Sequence, residues 1–306
     1  MILNNVYPCV LLCSYNGEFF LEEQVNSIFN QSIPISKLYI CDFGSNDNTV
    51  NIIHRLLNVY SDRISFFSFN PLMCASHSFI KAIQYISQII PSNSILYICD
   101  QDDYWLNDKN EVVLSNMYES DLPLLLHHDV YVVDDNLQLI NQEFYPENIR
   151  RLILNCIPHR FFFNSIIGHT ICMNYYSVKY LASINFDKRI IMHDWLWGAL
   201  LEGKGRVIYL NKKLSFYRQH NFNIVGVKLY KSTVLSRVFN SLFLTIKVSN
   251  QLEFLKSLGL LNKNKIRLIL SLIKYGAFRQ LISVLLILIL SLIKEFRNLF
   301  IVISIK

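Results

Sequence analysis

The stretch ILYICDQDDYW, residues 95–105, decides the fold of this chain. It opens with five apolar residues typical of a buried strand, and then places three carboxylates within four residues, at Asp100, Asp102 and Asp103. Because an unpaired carboxylate is costly to bury, these groups are expected at the carboxyl end of the strand, where open α/β sheets bind ligands. Mg²⁺ and Mn²⁺ prefer such oxygen ligands. The stretch therefore favours a divalent-cation site, and the alternative is a polar turn that caps a helix beginning near Trp105.

The segments around this stretch alternate between two patterns. Strand-like segments lie at residues 7–14, 37–41, 64–69, 95–99 and 122–133, and segments with the apolar spacing of a helix face lie at 20–30, 49–60 and 77–90. A charged turn at 134–136 predicts a hairpin. The alternation predicts an α/β fold, with a Rossmann-like, mainly parallel sheet flanked by helices.

Charge is distributed unevenly along the 306 residues, of which 52% are hydrophobic and 17% charged. Residues 228–306 contain 13 Lys and Arg against two acidic residues, whereas residues 1–227 contain 16 basic and 21 acidic residues. We therefore predict a catalytic domain at 1–227 and a basic, apolar helical region at 228–306. An acidic body with a basic tail differs from a uniformly basic nucleic-acid binder, so no nucleic-acid partner is expected.

The basic tail contains apolar runs at 281–293 and 299–305. Both are shorter than the roughly 18–20 residues that a transmembrane helix needs. A basic helix with this much aliphatic surface predicts binding at an anionic membrane interface. The alternative is a helical hairpin that packs on the body or on a second subunit.

The cysteines and the N-terminus indicate the compartment. None of the seven cysteines forms a CxxC pair, and most lie in apolar runs, as expected in a reducing environment. The first residues lack the basic segment and apolar stretch of a signal peptide. The catalytic part is therefore expected in the cytoplasm, peripheral on the inner face of the membrane.

Two turns that follow strands offer further binding groups. Tyr15 and Asn16, in the Tyr-Asn-Gly turn after the first strand, could present an aromatic face and an amide to a nucleotide base, although most such turns bind nothing. Asp42 ends the second strand and is expected to contact a ligand. Ser45 and Asp47, which follow it, are interpreted as candidate helix N-caps.

Asp194 lies among apolar and aromatic residues in the segment 191–197. Such surroundings are expected to raise the pKa of a carboxyl group, which suits a general base. The alternative is an N-cap for a helix at 195–201, and the two functions are compatible.

Together these motifs resemble family 2 glycosyltransferases, most closely the bacterial rhamnosyltransferase-like members that build surface polysaccharides. The resemblance rests on residues 15–17, 42–49 and 100–105 and extends over about 7–226. It implies a GT-A fold and an inverting, metal-dependent transfer of a sugar, such as rhamnose, from a nucleotide diphosphate sugar to a glycan hydroxyl in O-antigen or capsule synthesis. The acceptor is expected to be lipid-linked, which would account for the apolar tail.

The resemblance also implies functions for individual residues. Asp103 would be the main ligand of a Mg²⁺ or Mn²⁺ ion, with Asp102 on the same metal or near the ribose. Asp194 would be the base that deprotonates the acceptor hydroxyl. The expected donor-binding residues are Tyr15, Asn16, Asp42, Asp102, Arg218 and His220.

Two departures from the family pattern keep alternatives open. Phe43 stands where relatives carry a second aspartate that often contacts the base, and residues 70–77 lack the usual glycine. A nucleotidyltransferase would need a phosphate loop rich in glycine and arginine, but residues 13–17 contain one glycine and no arginine. A non-catalytic sugar-nucleotide-binding or scaffold subunit of a polysaccharide assembly complex is the remaining alternative, and Phe43 is its best support.

Overall fold

The computed structural model describes residues 5–72, 74–141, 144, 160, 164–186, 192–220 and 253–260. The chain divides into two units. The first comprises Met1–Pro158, Ser165–Asn185 and Met192–Val227, and the second comprises His159–Asn164, Phe186–Ile191 and Lys228–Lys306.

The first unit contains a nine-stranded sheet and six helices within the described residues. Its strands are β1 (Tyr7–Ser14), β2 (Lys37–Asp42), β3 (Ile64–Ser68), β4 (Ser94–Cys99), β5 (Tyr104–Trp105), β6 (Leu124–Val133), β7 (Leu139–Asn141), β8 (Cys172–Asn174) and β9 (Arg206–Arg218). Its helices are α1 (Leu21–Phe29), α2 (Thr49–Tyr60), α3 (Ala75–Ile86), α4 (Lys109–Asn116), α5 (Tyr175–Ser183) and α6 (His193–Lys204).

The strand order is β3-β2-β1-β4-β8-β6-β9-β5, with β7 paired to β6. Strands β3, β2, β1 and β4 are mutually parallel, and β6 is parallel to β9. Strand β8 is antiparallel to both β4 and β6, so it joins the two parallel groups. The prediction of an α/β fold with a largely parallel sheet flanked by helices is confirmed.

The core lies against both faces of the central strands. Residues of β1, β2 and β4 are almost all buried, as their continuous apolar runs predict for parallel strands covered on both faces. Helix α1 covers one face with Leu21, Val25 and Ile28, which recur at helical spacing and are fully buried. The apolar residues therefore determine which segments form the central sheet, and the polar residues of the candidate site follow the carboxyl ends of its strands.

The alternative to a ligand site was a helix that begins near Trp105. This prediction was wrong in position, because α4 begins at Lys109. Tyr104 and Trp105 instead form β5, in which Trp105 pairs with Ser215 of β9. The backbone N–H of Trp105 donates to Oγ of Ser27, 3.1 Å away. The contacts with Ser215 and Ser27, which are distant in the sequence, keep the backbone of residues 104–105 extended.

The predicted hairpin at 134–136 is confirmed by the pairing of β6 with β7. Oδ1 of Asp134 accepts hydrogen bonds from the backbone N–H groups of Asn136 and Gln138, both at 2.9 Å. The carboxylate closes the turn locally, as is common for Asp at the start of a turn.

The predicted tail lies outside the described residues apart from 253–260. Among the helices that the structure describes, none combines the length and apolar character needed to cross a membrane. The division into a catalytic domain at 1–227 and a tail at 228–306 stays a prediction.

We predict that Gly205→Ala destabilises the fold. A Cβ at this position would lie 1.9 Å from the carbonyl oxygen of Pro123, which is backbone and cannot rotate away. Overpacking of this kind lowers the free energy of unfolding by about 1–3 kcal/mol, which urea denaturation would measure. Gly203→Ala, inside α6, is the matched control and should change stability by less than about 1 kcal/mol. Equal stability of the two variants would contradict the packing at Gly205.

Candidate active site

Three parallel strands end side by side at one edge of the sheet. The register pairs Ser14 of β1 with Asp42 of β2, and Leu12 of β1 with Cys99 of β4. Asp42 and Asp100, the residue after Cys99, therefore lie at nearly the same height along the strand direction, at the carboxyl ends of β2 and β4. The carboxylates lie at the carboxyl ends of the strands, as the sequence predicted.

The turn after β1 is held by Gln101 from the acidic stretch. The backbone N–H of Tyr15 donates to Oε1 of Gln101 (2.9 Å), and Nε2 of Gln101 donates back to the carbonyl of Tyr15 (3.0 Å). A Cβ at Gly17 would lie 2.3 Å from Oε1 of Gln101, so a larger residue there would displace the end of the Gln101 side chain. Tyr15 is 54% exposed and its ring is accessible, whereas Oδ1 of Asn16 accepts a hydrogen bond from the backbone N–H of Asn46 (2.9 Å).

Asp42 is buried and organises the loop after β2. Its Oδ1 accepts hydrogen bonds from the hydroxyls of Ser14 (2.9 Å) and Ser45, and its Oδ2 accepts from the backbone N–H groups of Gly44 (3.1 Å) and Ser45 (3.0 Å). These bonds give the carboxylate a positioning function. Its expected contact with the donor stays a prediction.

Two neighbours of Asp42 have structural functions. The N-cap of α2 is Asn48, so the interpretation of Ser45 or Asp47 as the N-cap was wrong. The carboxylate of Asp47 nevertheless accepts from the backbone N–H of Thr49, the first residue of α2, at 3.0 Å. Phe43 is buried and stacks on Phe69, with ring centroids 5.1 Å apart and planes inclined by 15°. The aromatic ring that replaces the usual second aspartate is therefore part of the core.

Asp100, Asp102 and Asp103 form an acidic cluster in which the carboxylates repel one another. Burial raises the pKa of Asp100 well above its usual value, and the negative charges of Asp103, Asp102 and Asp194 raise it further. Burial and then the charge of Asp102 likewise raise the pKa of Asp103. A divalent cation would relieve this repulsion, so the cluster fits the predicted metal site.

The buried side of the cluster contains a histidine. Nδ1 of His169 lies 2.7 Å from Oδ2 of Asp103, but without the alignment of a hydrogen bond, and Nε2 of His169 lies 2.9 Å from Oγ of Ser215. Potential ligand atoms of Asp100, Asp103 and His169 all lie within 4.8 Å of one another. These three residues form one candidate metal group, which includes Asp103 as predicted.

Lys109 lies behind the same group. Its Nζ is 3.7 Å from the centroid of the Trp105 ring and donates to the backbone carbonyl of His169 at 3.1 Å. Burial lowers the pKa of Lys109 to about 7, and the nearby positive charge in turn lowers the pKa of Asp100 and Asp103. Lys109 thus partly compensates the acidic cluster from the interior.

On the more exposed side of the cluster, two of the predicted site residues, Asp102 and His220, contact each other. Oδ2 of Asp102 lies 2.9 Å from Nε2 of His220, and the two side chains are 19% and 6% exposed. The ring of His220 packs on Phe20, with centroids 4.8 Å apart. Asp102 and His220 therefore meet, although they are separated by more than a hundred residues in the sequence.

Arg218 is buried and holds the acidic stretch in place. Its Nε donates to the carbonyl of Asp102 (2.9 Å), and its backbone N–H donates to Oδ1 of Asp103 (3.2 Å). The guanidinium also donates to the carbonyl of Asp135 and forms an ion pair with Glu23. These contacts position the acidic stretch, and the expected contact of Arg218 with the donor stays a prediction.

Asp194 is the second residue of α6 and is buried. Its Oδ1 accepts a hydrogen bond from the backbone N–H of Trp195 at 2.6 Å. The N-cap of α6 is Met192, so the alternative interpretation of Asp194 as the N-cap was wrong. It lies close enough to Asp100 for its charge to raise the pKa of that residue. The proposed base and the acidic cluster therefore face a common region, and the base function stays a prediction.

Sequence reasoning did not assign His169, Lys109 or Glu23 to the site. His169 lies in a Gly-His-Thr segment that is part of the family resemblance, so a signal existed for it. An isolated lysine or glutamate in a helix is usually exposed, and the sequence gives no sign that Lys109 is buried beside carboxylates.

Comparisons with known proteins agree with this geometry. The model for glycosyl transferase family 2 matches residues 9–175, more than half of the chain. The matched region includes most of β1, all of β2 to β8, the acidic cluster and His169, whereas Asp194, Arg218 and His220 lie beyond it.

Two curated bacterial proteins are similar to this chain. The chain is 27% identical to dTDP-rhamnosyl transferase RfbG of Shigella flexneri over 236 residues, which cover 71% of this chain and 74% of RfbG. It is 24% identical to the Escherichia coli protein UDP-Glc:alpha-D-GlcNAc-diphosphoundecaprenol beta-1,3-glucosyltransferase WfgD over 149 residues, which cover 48% of this chain and 55% of WfgD. The chain thus spans about half the length of WfgD.

A similar solved structure is that of Staphylococcus aureus TarS, residues 1–349, in complex with UDP. It matches with a TM-score of 0.54 at 15% identity and covers 80% of this chain and 65% of that one. The likeness confirms the predicted GT-A fold.

We predict that the affinity of the full chain for Mn²⁺ continues to increase with pH above the range in which ordinary aspartates ionise. Ordinary aspartates are already ionised above that range, but the raised pKa values of Asp100 and Asp103 let them hold protons that a cation must displace. Calorimetric titration of Mn²⁺ in buffers of different ionisation enthalpy would count the protons released. Asp62→Asn, at an exposed position, is the control and should leave the profile unchanged. An affinity independent of pH, with no proton release, would contradict the cluster as the cation site.

Proposed function

Since the chain belongs to glycosyl transferase family 2, we propose that it is an inverting, metal-dependent glycosyltransferase of bacterial surface polysaccharide synthesis. It moves a sugar, such as rhamnose, from a nucleotide diphosphate sugar to a glycan hydroxyl of O-antigen or capsule. The observation that carries the proposal is the acidic cluster at the strand ends, with Asp194 close enough to raise the pKa of Asp100.

Asp102 and His220 are the residues that would hold the cation on its donor-facing side. Asp102 has the more accessible carboxylate, and its Oδ2 already lies 2.9 Å from Nε2 of His220. Asp103, the main ligand expected from the resemblance, is nearly inaccessible and accepts a hydrogen bond from the backbone N–H of Arg218. We therefore propose that Asp103 lies on the interior side of the cation and Asp102 on the side that faces the donor. When bound by these residues, Mg²⁺ or Mn²⁺ would supply positive charge against the negative charge that develops on the leaving diphosphate.

Asp194 takes the proton of the acceptor hydroxyl as that oxygen attacks the anomeric carbon. The bond from this carbon to the diphosphate oxygen breaks on the opposite face, so the configuration inverts. The transition state carries oxocarbenium character, as in glycoside hydrolysis. Burial of Asp194 among apolar residues keeps water away from the carboxylate that performs this step.

The donor and acceptor are proposed from the relatives. The name of RfbG favours dTDP-rhamnose as donor, and the name of WfgD favours a lipid-linked acceptor and keeps UDP-sugars as the alternative donor class. The exposed ring of Tyr15 is the group we propose to contact the base, while Asn16 and Asp42 hold the surrounding loop. Because Phe43 is buried in the core, the carboxylate that often reads the base in relatives has no counterpart at that position.

We predict that Asp194→Asn abolishes transfer and leaves donor-nucleotide binding nearly intact. The amide keeps the shape of the side chain but cannot accept the proton, so kcat should fall by about 10²–10⁴-fold. Transfer from dTDP-rhamnose and UDP-glucose, together with binding of dTDP and UDP, would measure both effects. Glu202→Gln, on the same helix, is the control.

Retained turnover in Asp194→Asn would remove Asp194 as the base. A wild-type protein that binds a nucleotide but transfers no sugar would favour the scaffold alternative, for which Phe43 is the supporting observation.

We predict that residues 228–306 attach the protein to the cytoplasmic face of the membrane. Each basic residue near an anionic surface contributes about 1 kcal/mol, and this region contains 13 of them. The full chain should sediment with vesicles that contain phosphatidylglycerol but not with purely zwitterionic vesicles. A chain that ends at Val227 should stay in the supernatant. Sedimentation of the shortened chain with anionic vesicles would show that the tail is not the membrane element.

A further inference from the structure

His193, the first residue of α6, immediately precedes the proposed base and is held on three sides. Its ring stacks on Phe79 of α3, with centroids 4.2 Å apart and planes inclined by 20°. It also packs edge-on against Trp197 at 5.0 Å. The backbone N–H of His193 donates to Oγ of Ser76 at 3.2 Å. The imidazole is therefore packed between two aromatic rings.

The ring of His193 is 4% exposed, yet neither of its nitrogens has a hydrogen-bond partner within the part of the chain that the structure describes. Nε1 of Trp197, in contact with that ring, likewise has none there. Burial lowers the pKa of His193 to about 3, so the ring is neutral, with one donor and one acceptor nitrogen. Buried polar groups are nearly always paired in native proteins, so these atoms indicate a ligand.

Nε2 of His193 lies close to the acidic cluster. A Cβ at Gly168 would lie 3.2 Å from Nε2 of His193 and 3.9 Å from Oδ2 of Asp100, so both atoms border the space beside this glycine. Gly168 directly precedes His169 of the candidate metal group. Nε2 of His193 therefore borders the same space as the acidic cluster, where the diphosphate is proposed to bind, and His193 directly precedes Asp194, the proposed base, in the sequence.

We infer that Nε2 of His193 hydrogen-bonds a hydroxyl of the transferred sugar of the donor and makes this residue a determinant of donor-sugar specificity. The inference rests on the proposed function. A neutral imidazole suits a hydroxyl, which both donates and accepts, whereas a diphosphate only accepts and is matched better by cations. The transferred sugar, which carries the hydroxyls, is also the part of the donor that lies between the departing diphosphate and the attacking acceptor.

The test replaces the nitrogens and keeps the ring. His193→Phe preserves the stacking on Phe79 but removes both polar atoms. In the full chain with Mn²⁺, kcat/KM for dTDP-rhamnose or UDP-glucose should fall by about ten- to a hundredfold, both in transfer and in donor hydrolysis without acceptor. Binding of dTDP and UDP should not change. His193→Gln, which offers an amide, should recover part of the loss, and His54→Phe, on α2, is the matched control.

A second measurement uses donor sugars that each lack one hydroxyl group. If His193 only supported the fold, its substitution would not change the relative kcat/KM values of these analogues. The wild type should discriminate against one of these analogues, and His193→Phe should lose that discrimination. Unchanged kcat/KM in His193→Phe, or loss of dTDP and UDP binding with it, would overturn the inference. A loss of transfer with normal hydrolysis would also overturn it, because the contact would then be with the acceptor. Failure of the proposed function can be told apart from failure of this inference, because the wild type itself would then turn over no donor.

Discussion

The fold depends on placing three carboxylates at the end of a fully buried strand. Strand β4 is apolar throughout, and the chain becomes strongly acidic as it leaves the sheet. Two of the three have partners: His220 lies against Asp102, and the backbone N–H and positive charge of Arg218 lower the pKa of Asp103. Lys109 adds a buried positive charge behind them. The acidic cluster thus exists only because distant parts of the chain fold onto it.

Strand β9 supplies most of that support. It pairs with β5, directly after the acidic stretch, and ends at Arg218, whose guanidinium and backbone both bond to the stretch. On the other side, Gln101 ties the stretch to the turn after β1. The cation-binding and nucleotide-binding parts of the proposed site are therefore one hydrogen-bonded unit. Such coupling keeps the ligating oxygens in place before the donor arrives, as preorganised catalysis requires.

Much of this architecture followed from local patterns in the sequence. The segments predicted at 7–14 and 49–60 coincide with β1 and α2, and other elements differ by a few residues, because apolar periodicity marks the middle of an element better than its ends. Long-range partners could not be predicted in this way. Trp105 is extended because it pairs with β9, and Lys109 is buried because α4 packs behind the cluster. Arg218 carries a charge that suggested a ligand contact, yet the structure pairs it with Glu23.

The central claim is that this site binds a nucleoside diphosphate through a divalent cation. The most direct test is calorimetric titration of dTDP and of UDP into the full chain, with Mn²⁺ and then with EDTA. The account predicts that at least one of the two binds with Mn²⁺ and that EDTA abolishes the binding, and the preferred base then narrows the donor class. Binding of equal strength in EDTA, or no binding of either nucleotide to the folded protein, would contradict it.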